Sequence, residues 1–162
     1  MTIHDMRSDA ERDETAASVR HNVLEQHVVI REVLRQVLEA TTLTLQGDAA
    51  TAAQMASFVR DLRTRFRAHL AYEERYLAPV LAQVDIWGPQ RVSDLLNEHA
   101  EQRALLDALI AGIEGGWDAR GLAISARSLV TELLVDMEEE ERGCLSADLL
   151  RDDVVSFEQT TD

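Results

Sequence analysis

Lysine is missing from the 162-residue chain, and cysteine occurs once, as Cys144. A single thiol cannot close an internal disulfide, so the fold is expected to stand without oxidation, in a reducing, cytoplasmic setting. Only 2 proline and 7 glycine residues interrupt the chain, while Ala, Leu, Glu and Arg recur, a balance that favours helix. Aromatic residues make up 4% against 46% hydrophobic residues, so the core should be aliphatic. Long apolar runs are lacking too: none nears the roughly 18 residues of a membrane span, and Met1 to Arg20 is charged and without the apolar stretch of a secretion signal. Neither the membrane nor secretion is expected. With 16 basic residues, all Arg, against 30 acidic ones, the net charge is −14, which argues against nucleic acid as a partner.

What is present is helical periodicity between a few breakers. Gly47-Asp48, Asp85 to Pro89 and Gly115 to Asp118 divide the chain into segments 15–46, 49–84, 89–114 and 119–147. Steps of three and four residues trace one inward stripe on each. The first reads Val23, His27, Ile30, Leu34, Val37, and the second Met55, Val59, Leu62, Phe66, His69, Glu73, Tyr76, Val80. The third reads Val92, Leu95, His99, Gln102, Leu106, Leu109, Ile113, and the fourth Leu122, Ala126, Leu129, Leu133, Asp136, Glu140. Long helices on short connections favour antiparallel neighbours, so the fold class is all-α, an up-down-up-down four-helix bundle over 15–147. A polar leader, 1–14, and an acidic C-terminal tail, 148–162, are assigned no fold. The halves also repeat: Leu24-x-x-His27-x-x-x-Arg31-x-x-Leu34 recurs as Leu96-x-x-His99-x-x-x-Arg103-x-x-Leu106, and His69-x-x-x-Glu73-Glu74-Arg75 as Asp136-x-x-x-Glu140-Glu141-Arg142.

Each stripe is apolar except at one level. Counting from the turns at about 1.5 Å per residue brings His27, His69, Glu73, His99, Asp136 and Glu140 to a common layer. Inward carboxylates cost several kcal/mol each, on the order of the penalty for an unpaired buried ion, and no Arg shares their stripes. A cation is therefore required in the core. Three imidazoles and three carboxylates are a mixed N/O set suited to first-row metals, and six ligands exceed what one tetrahedral zinc needs. Two ions bridged by carboxylates is the natural arrangement.

The runs EQHVVIREVL, FRAHLAYEERYLAPVL, NEHAEQRALLDAL and LVDMEEEERGCL resemble the four helices of hemerythrin-like (HHE cation-binding) domains over about residues 20–147. The resemblance implies a non-haem centre of two carboxylate-bridged irons that binds or reacts with dioxygen, nitric oxide or peroxide, in sensing, protection or iron handling. It makes His27, His69 and His99 terminal ligands and Glu73 and Glu140 bridges. The family usually has histidine where this chain has Asp136. An aspartate ligand there is shorter and anionic, lowers the reduction potential and leaves room for an open iron position, which suits an oxidase, peroxidase or ferroxidase. A metal-free helical module that binds a protein partner, unidentified, is the remaining alternative.

Other residues are expected to be structural. His21 sits well off the His27 face and His4 lies in the leader, so both are surface residues. Glu138, Glu139 and Glu141 form a solvated charge run around Glu140. Tyr76 and Cys144 pack in the core, as does Met137, and Trp87 and Trp117 cap the bundle ends. Gln102 is buried next to His99 and is a candidate for orienting a ligand.

Overall fold

The computed structural model describes residues 15–48 and 50–151; the leader, with His4, and the tail beyond Arg151 lie outside the described residues. The order is α1 (Ala16–Leu45), α2 (Thr51–Tyr72), a π-helical turn (Glu73–Leu77), α3 (Ala78–Val84), α4 (Gly88–Glu114) and α5 (Ala119–Arg142). Because α2, the π turn and α3 run on without a break, the five helices make four rods, packed antiparallel as a four-helix bundle. Around the bundle, α1 lies between α2 and α5, and α4 closes the square against α3 and α5. No helix among the described residues is long and apolar enough to cross a membrane.

Local chemistry sets the ends. Thr15 caps α1 by accepting from the Ser18 N–H at 3.2 Å, and Asp118 caps α5 by accepting from the Gly121 N–H at 2.8 Å. Pro89 sits in the first turn of α4, where its missing N–H costs nothing. Gly47, with φ +99°, makes the first turn in a conformation that side chains resist. Trp117 lies against Gly112, so close that a Cβ at that position would meet its ring, and it closes one end of the bundle although half of it stays exposed.

The core is split in two. One apolar cluster includes Ile30, Leu34, Met55, Phe66, Leu106 and Leu133; the other includes Val19, Val23, Leu77, Leu81, Leu95 and Leu145. Two of the expected stripes need correction. The π turn is wider than an α turn, and beyond it Leu77 and Leu81 are fully buried whereas Tyr76 and Val80 are only partly so. The fourth helix stops at Arg142 rather than running to Ala147, because Gly143 leaves helical geometry at φ −96°, ψ −102°. The chain then folds back and buries Leu145 and Leu150 on the second cluster.

Phe66 is 1% exposed and stands edge-on to the His69 ring with centroids 5.6 Å apart, so it joins the larger cluster to the polar layer. Phe66→Ala should destabilise the metal-free protein by about 3–5 kcal/mol in urea unfolding. A loss below about 1 kcal/mol, the size of a surface substitution, would mean that this core is not packed as described.

Candidate metal centre

Between the two apolar clusters lies a polar layer. His27 comes from α1, His69 from the end of α2, Glu73 from the start of the π turn, His99 from α4 and Glu140 from the last turn of α5. Ligand atoms of His27, His69, Glu73 and Glu140 all lie within 4.8 Å of one another. Glu73 is the centre: its Oε1 is 3.2 Å from His69 Nε2 and 3.9 Å from His27 Nε2, and its Oε2 is 3.0 Å from His99 Nε2. Nε2 of His27 is also 3.4 Å from Glu140 Oε2. A π turn places one residue where an α turn would carry the chain past, and here it begins at the residue that reaches all three imidazoles.

The outward nitrogens of the imidazoles are all engaged. His27 Nδ1 donates to Glu141 at 2.7 Å, and Arg31 holds the same carboxylate oxygen at 2.8 Å. His99 Nδ1 donates to Glu74 at 3.1 Å, and Arg103 holds that oxygen at 2.7 Å. His69 Nδ1 donates to the Gln26 side-chain oxygen at 3.0 Å. With Nδ1 as the donor, each neutral ring turns a bare Nε2 inward. Glu141 is therefore not part of a solvated run, as its neighbours suggested, but the anchor of His27. Its signal was in the internal repeat, because Glu74 and Glu141 hold equivalent positions and each bonds the histidine four residues before an arginine.

Asp136 is engaged by an amide of α4. Its Oδ2 accepts from Gln102 Nε2 at 3.0 Å, and the same nitrogen donates to Glu98 at 3.1 Å. Gln102 thus holds two carboxylates rather than His99. Glu98 escaped the sequence reading because it is off the apolar stripe; the repeat matches it to Gln26, the partner of His69, while Asp136 matches His69 itself.

The electrostatics follow from this crowding of acids. Burial and the neighbouring Glu140 charge push Glu73 well above the usual carboxylate range. Burial, with the charges of His27 and His99, depresses His69 to about 3. His27 loses solvation as well, but Glu140, Glu141 and Glu73 together outweigh that and raise it. Partial burial and the charges of Asp136 and Glu140 raise Glu98 to about 7. By contrast, Arg103 and His99 hold Glu74 low, and the Arg31 and His27 hydrogen bonds hold Glu141 low against its burial, so both outer anchors stay ionised.

These residues fit a bound cation. Both oxygens of Glu73 and Nε2 of His27 are buried without a hydrogen bond, an arrangement that is costly for a side chain 1% exposed. The nearby guanidiniums of Arg31 and Arg103 are spent on the outer anchors. The inward set is imidazole nitrogen and carboxylate oxygen, the donors of borderline divalent metals. A cleft of about 500 Å³ between α4 and the end of α5 is lined by Asp94, Glu98, Glu139, Glu140 and Cys144.

Neighbouring groups are accounted for. The Cys144 thiol lies 3.8 Å from Glu140, and burial and that charge push it up, so it is an inert thiol. Tyr76 is partly buried with its ring tilted against Tyr72 at 4.7 Å, and His21 is exposed. Trp87 is exposed at the α3–α4 turn, and Met137 packs in the larger cluster.

Comparison with curated proteins and with solved structures returns no match. The family model of the hemerythrin HHE cation-binding domain matches residues 18–146, a span that takes in all four rods and every residue of the polar layer. A match over that share of the chain, on a four-helix bundle with a buried His/Glu cluster, shows that the chain belongs to the hemerythrin HHE cation-binding family.

Proposed function

We propose that the polar layer holds two iron ions and that the protein binds or reacts with dioxygen, nitric oxide or peroxide there. The observation that carries this reading is Glu73, a buried carboxylate free of hydrogen bonds whose two oxygens face different histidines. One oxygen faces His27 and His69 and the other faces His99, the disposition of a bridge between two positions. Glu140 is the second bridging candidate, and the three Nε2 atoms are the terminal donors. Iron in this layer would supply a redox-active Lewis acid for a small oxygen or nitrogen ligand.

The chain's own residues prepare the layer. Charged Glu141 and Glu74 fix the tautomers and orientations of His27 and His99, and neutral Gln26 does so for His69. Leu77, Leu95 and Leu145 close one side of the layer and Phe66, Leu106 and Leu133 the other. The capture of Asp136 by Gln102 favours a second reading, oxidase, peroxidase or ferroxidase chemistry, because the second half offers one histidine where the first offers two.

Two measurements test this. Iron-loaded, air-oxidised protein should absorb in the near ultraviolet and change its spectrum when azide is added; a spectrum blind to azide contradicts an accessible iron pair. Glu141→Gln and Glu74→Gln should each weaken iron binding about 10–100-fold, as loss of an outer carboxylate does at other metal sites. Glu139→Gln should leave it unchanged, and equal affinities in all three variants would remove the anchoring role.

A further inference from the structure

We propose that Arg31 and Arg103 are positioning residues for the histidine layer: each grips a glutamate from the other half of the chain and so fixes the imidazole which that glutamate anchors. The spacing His-x-x-x-Arg puts ring and guanidinium on one helix face, and among the five histidines it occurs only at His27 and His99. From α1, His27 Nδ1 and Arg31 Nη1 both donate to Oε1 of Glu141 on α5, at 2.7 and 2.8 Å. From α4, His99 Nδ1 and Arg103 Nη1 both donate to Oε1 of Glu74 in the π turn, at 3.1 and 2.7 Å. The two grips therefore cross between the halves, one joining α1 to α5 and the other joining α4 to the second rod.

The third histidine of the layer lacks the device. His69 is followed four residues on by Glu73 rather than arginine, and its outer partner is the neutral amide of Gln26 at 3.0 Å. A guanidinium is close by, since Arg65 lines the same surface groove as Gln26 and His69, yet it is paired with Asp61 at 2.9 Å. An arginine thus accompanies the histidine only where the acceptor carries a charge.

Two physical needs account for this pattern. The side chains of Glu141 and Glu74 are 27% and 31% exposed, so water competes for each carboxylate unless a second donor holds it. A hydrogen bond between two ions is the strong kind, and it pins the oxygen that the imidazole uses. The layer also concentrates Glu73, Glu140 and Asp136, and an anionic anchor outside His27 or His99 adds to that charge. Arg31 and Arg103 offset the addition where it arises. Without its arginine each imidazole keeps an acceptor but loses a fixed direction, so Nε2 no longer holds one aim into the layer.

The role rests on the layer as a metal site only where a metal is used to read it, and a metal-free measurement keeps the two apart. In full-length protein loaded with Co2+, the Nδ1–H protons of ligated imidazoles give strongly shifted proton resonances that vanish in D2O. Wild type should show one for each histidine of the layer. Arg31→Met should broaden or move one of them and Arg103→Met a different one, while the third stays in place in both. Co2+ affinity should fall about threefold to tenfold in each, less than on loss of the carboxylate itself. Arg65→Met should leave the resonances and the affinity as in wild type. In metal-free protein, the ring proton of His27 should exchange with solvent severalfold faster in Arg31→Met, and that of His99 in Arg103→Met. Both arginines are about a third exposed, so the variants should fold, which circular dichroism checks. Ring-proton exchange as in wild type in both arginine variants, or an equal disturbance of all three histidines by either one, overturns the proposal. Failure of wild type to bind Co2+ counts against the layer as a metal site, and the metal-free exchange rates then decide the role of the arginines.

Discussion

Glu73→Leu should make the metal-free protein more stable while abolishing its metal binding. Glu73 is 1% exposed, neither of its oxygens has a hydrogen bond, and burial together with the Glu140 charge raises its pKa well above the usual range. Replacing such a group by an apolar one of similar volume commonly gains about 1–4 kcal/mol. Leu77 and Phe66, which flank the layer in the two apolar clusters, provide an environment a leucine can join. The sign with pH follows from linkage. A carboxyl with a raised pKa holds its proton in the folded state after the unfolded chain has lost it, so wild type loses stability as pH rises above about 4.5, the unfolded value. The variant has no such group, and its advantage should widen from pH 4.5 upwards. His69 acts oppositely, remaining neutral in the fold down to about 3 under burial and the charges of His27 and His99. His69 is present in both proteins, so only the change in its surroundings on losing Glu73, 3.2 Å away, enters the difference. Urea unfolding of both metal-free proteins across this range checks the claim; a variant less stable than wild type at neutral pH would contradict it.

The second large effect is the reverse operation, filling the layer. A cation that binds only the folded state stabilises it by about 4 kcal/mol when its concentration is a thousandfold above Kd. For a chain of this size that corresponds to a rise in Tm of roughly 8–16 °C. The layer takes ligand atoms from all four rods and separates the two apolar clusters, so the gain should appear in one cooperative transition rather than in local stiffening. Thermal unfolding of iron-loaded protein, metal-free protein and loaded protein treated with chelator measures it. Equal Tm values in the three samples would show that the layer does not hold metal when folded.

Much of this architecture was legible from spacing. The stripe of α1 needed no correction and that of α4 only at its ends, where Val92 and Ile113 are partly buried, because an uninterrupted α-helix keeps its register and the apolar residues report it. Distance from the turns brought His27, His69, Glu73, His99 and Glu140 together because antiparallel rods share a measure of length at every turn. The π turn was not legible, because Glu73 to Leu77 has ordinary helix-forming residues. Glu141 was hidden for another reason. A carboxylate beside three others reads as solvated face, and only its meeting with His27 from a distant helix makes it an anchor. The same holds for Glu98 and Asp136, whose relation depends on one buried amide of α4. Gly143 carried a warning that the last helix ends early, but a glycine can also be tolerated inside a helix.

The central claim is that the buried layer binds cations through Glu73 and the three histidines. Elemental analysis of wild type and Glu73→Leu, both loaded anaerobically with ferrous iron and then desalted, tests it most directly. The account predicts two irons per wild-type chain and essentially none in the variant. Wild type that retains no more iron than Glu73→Leu would contradict it.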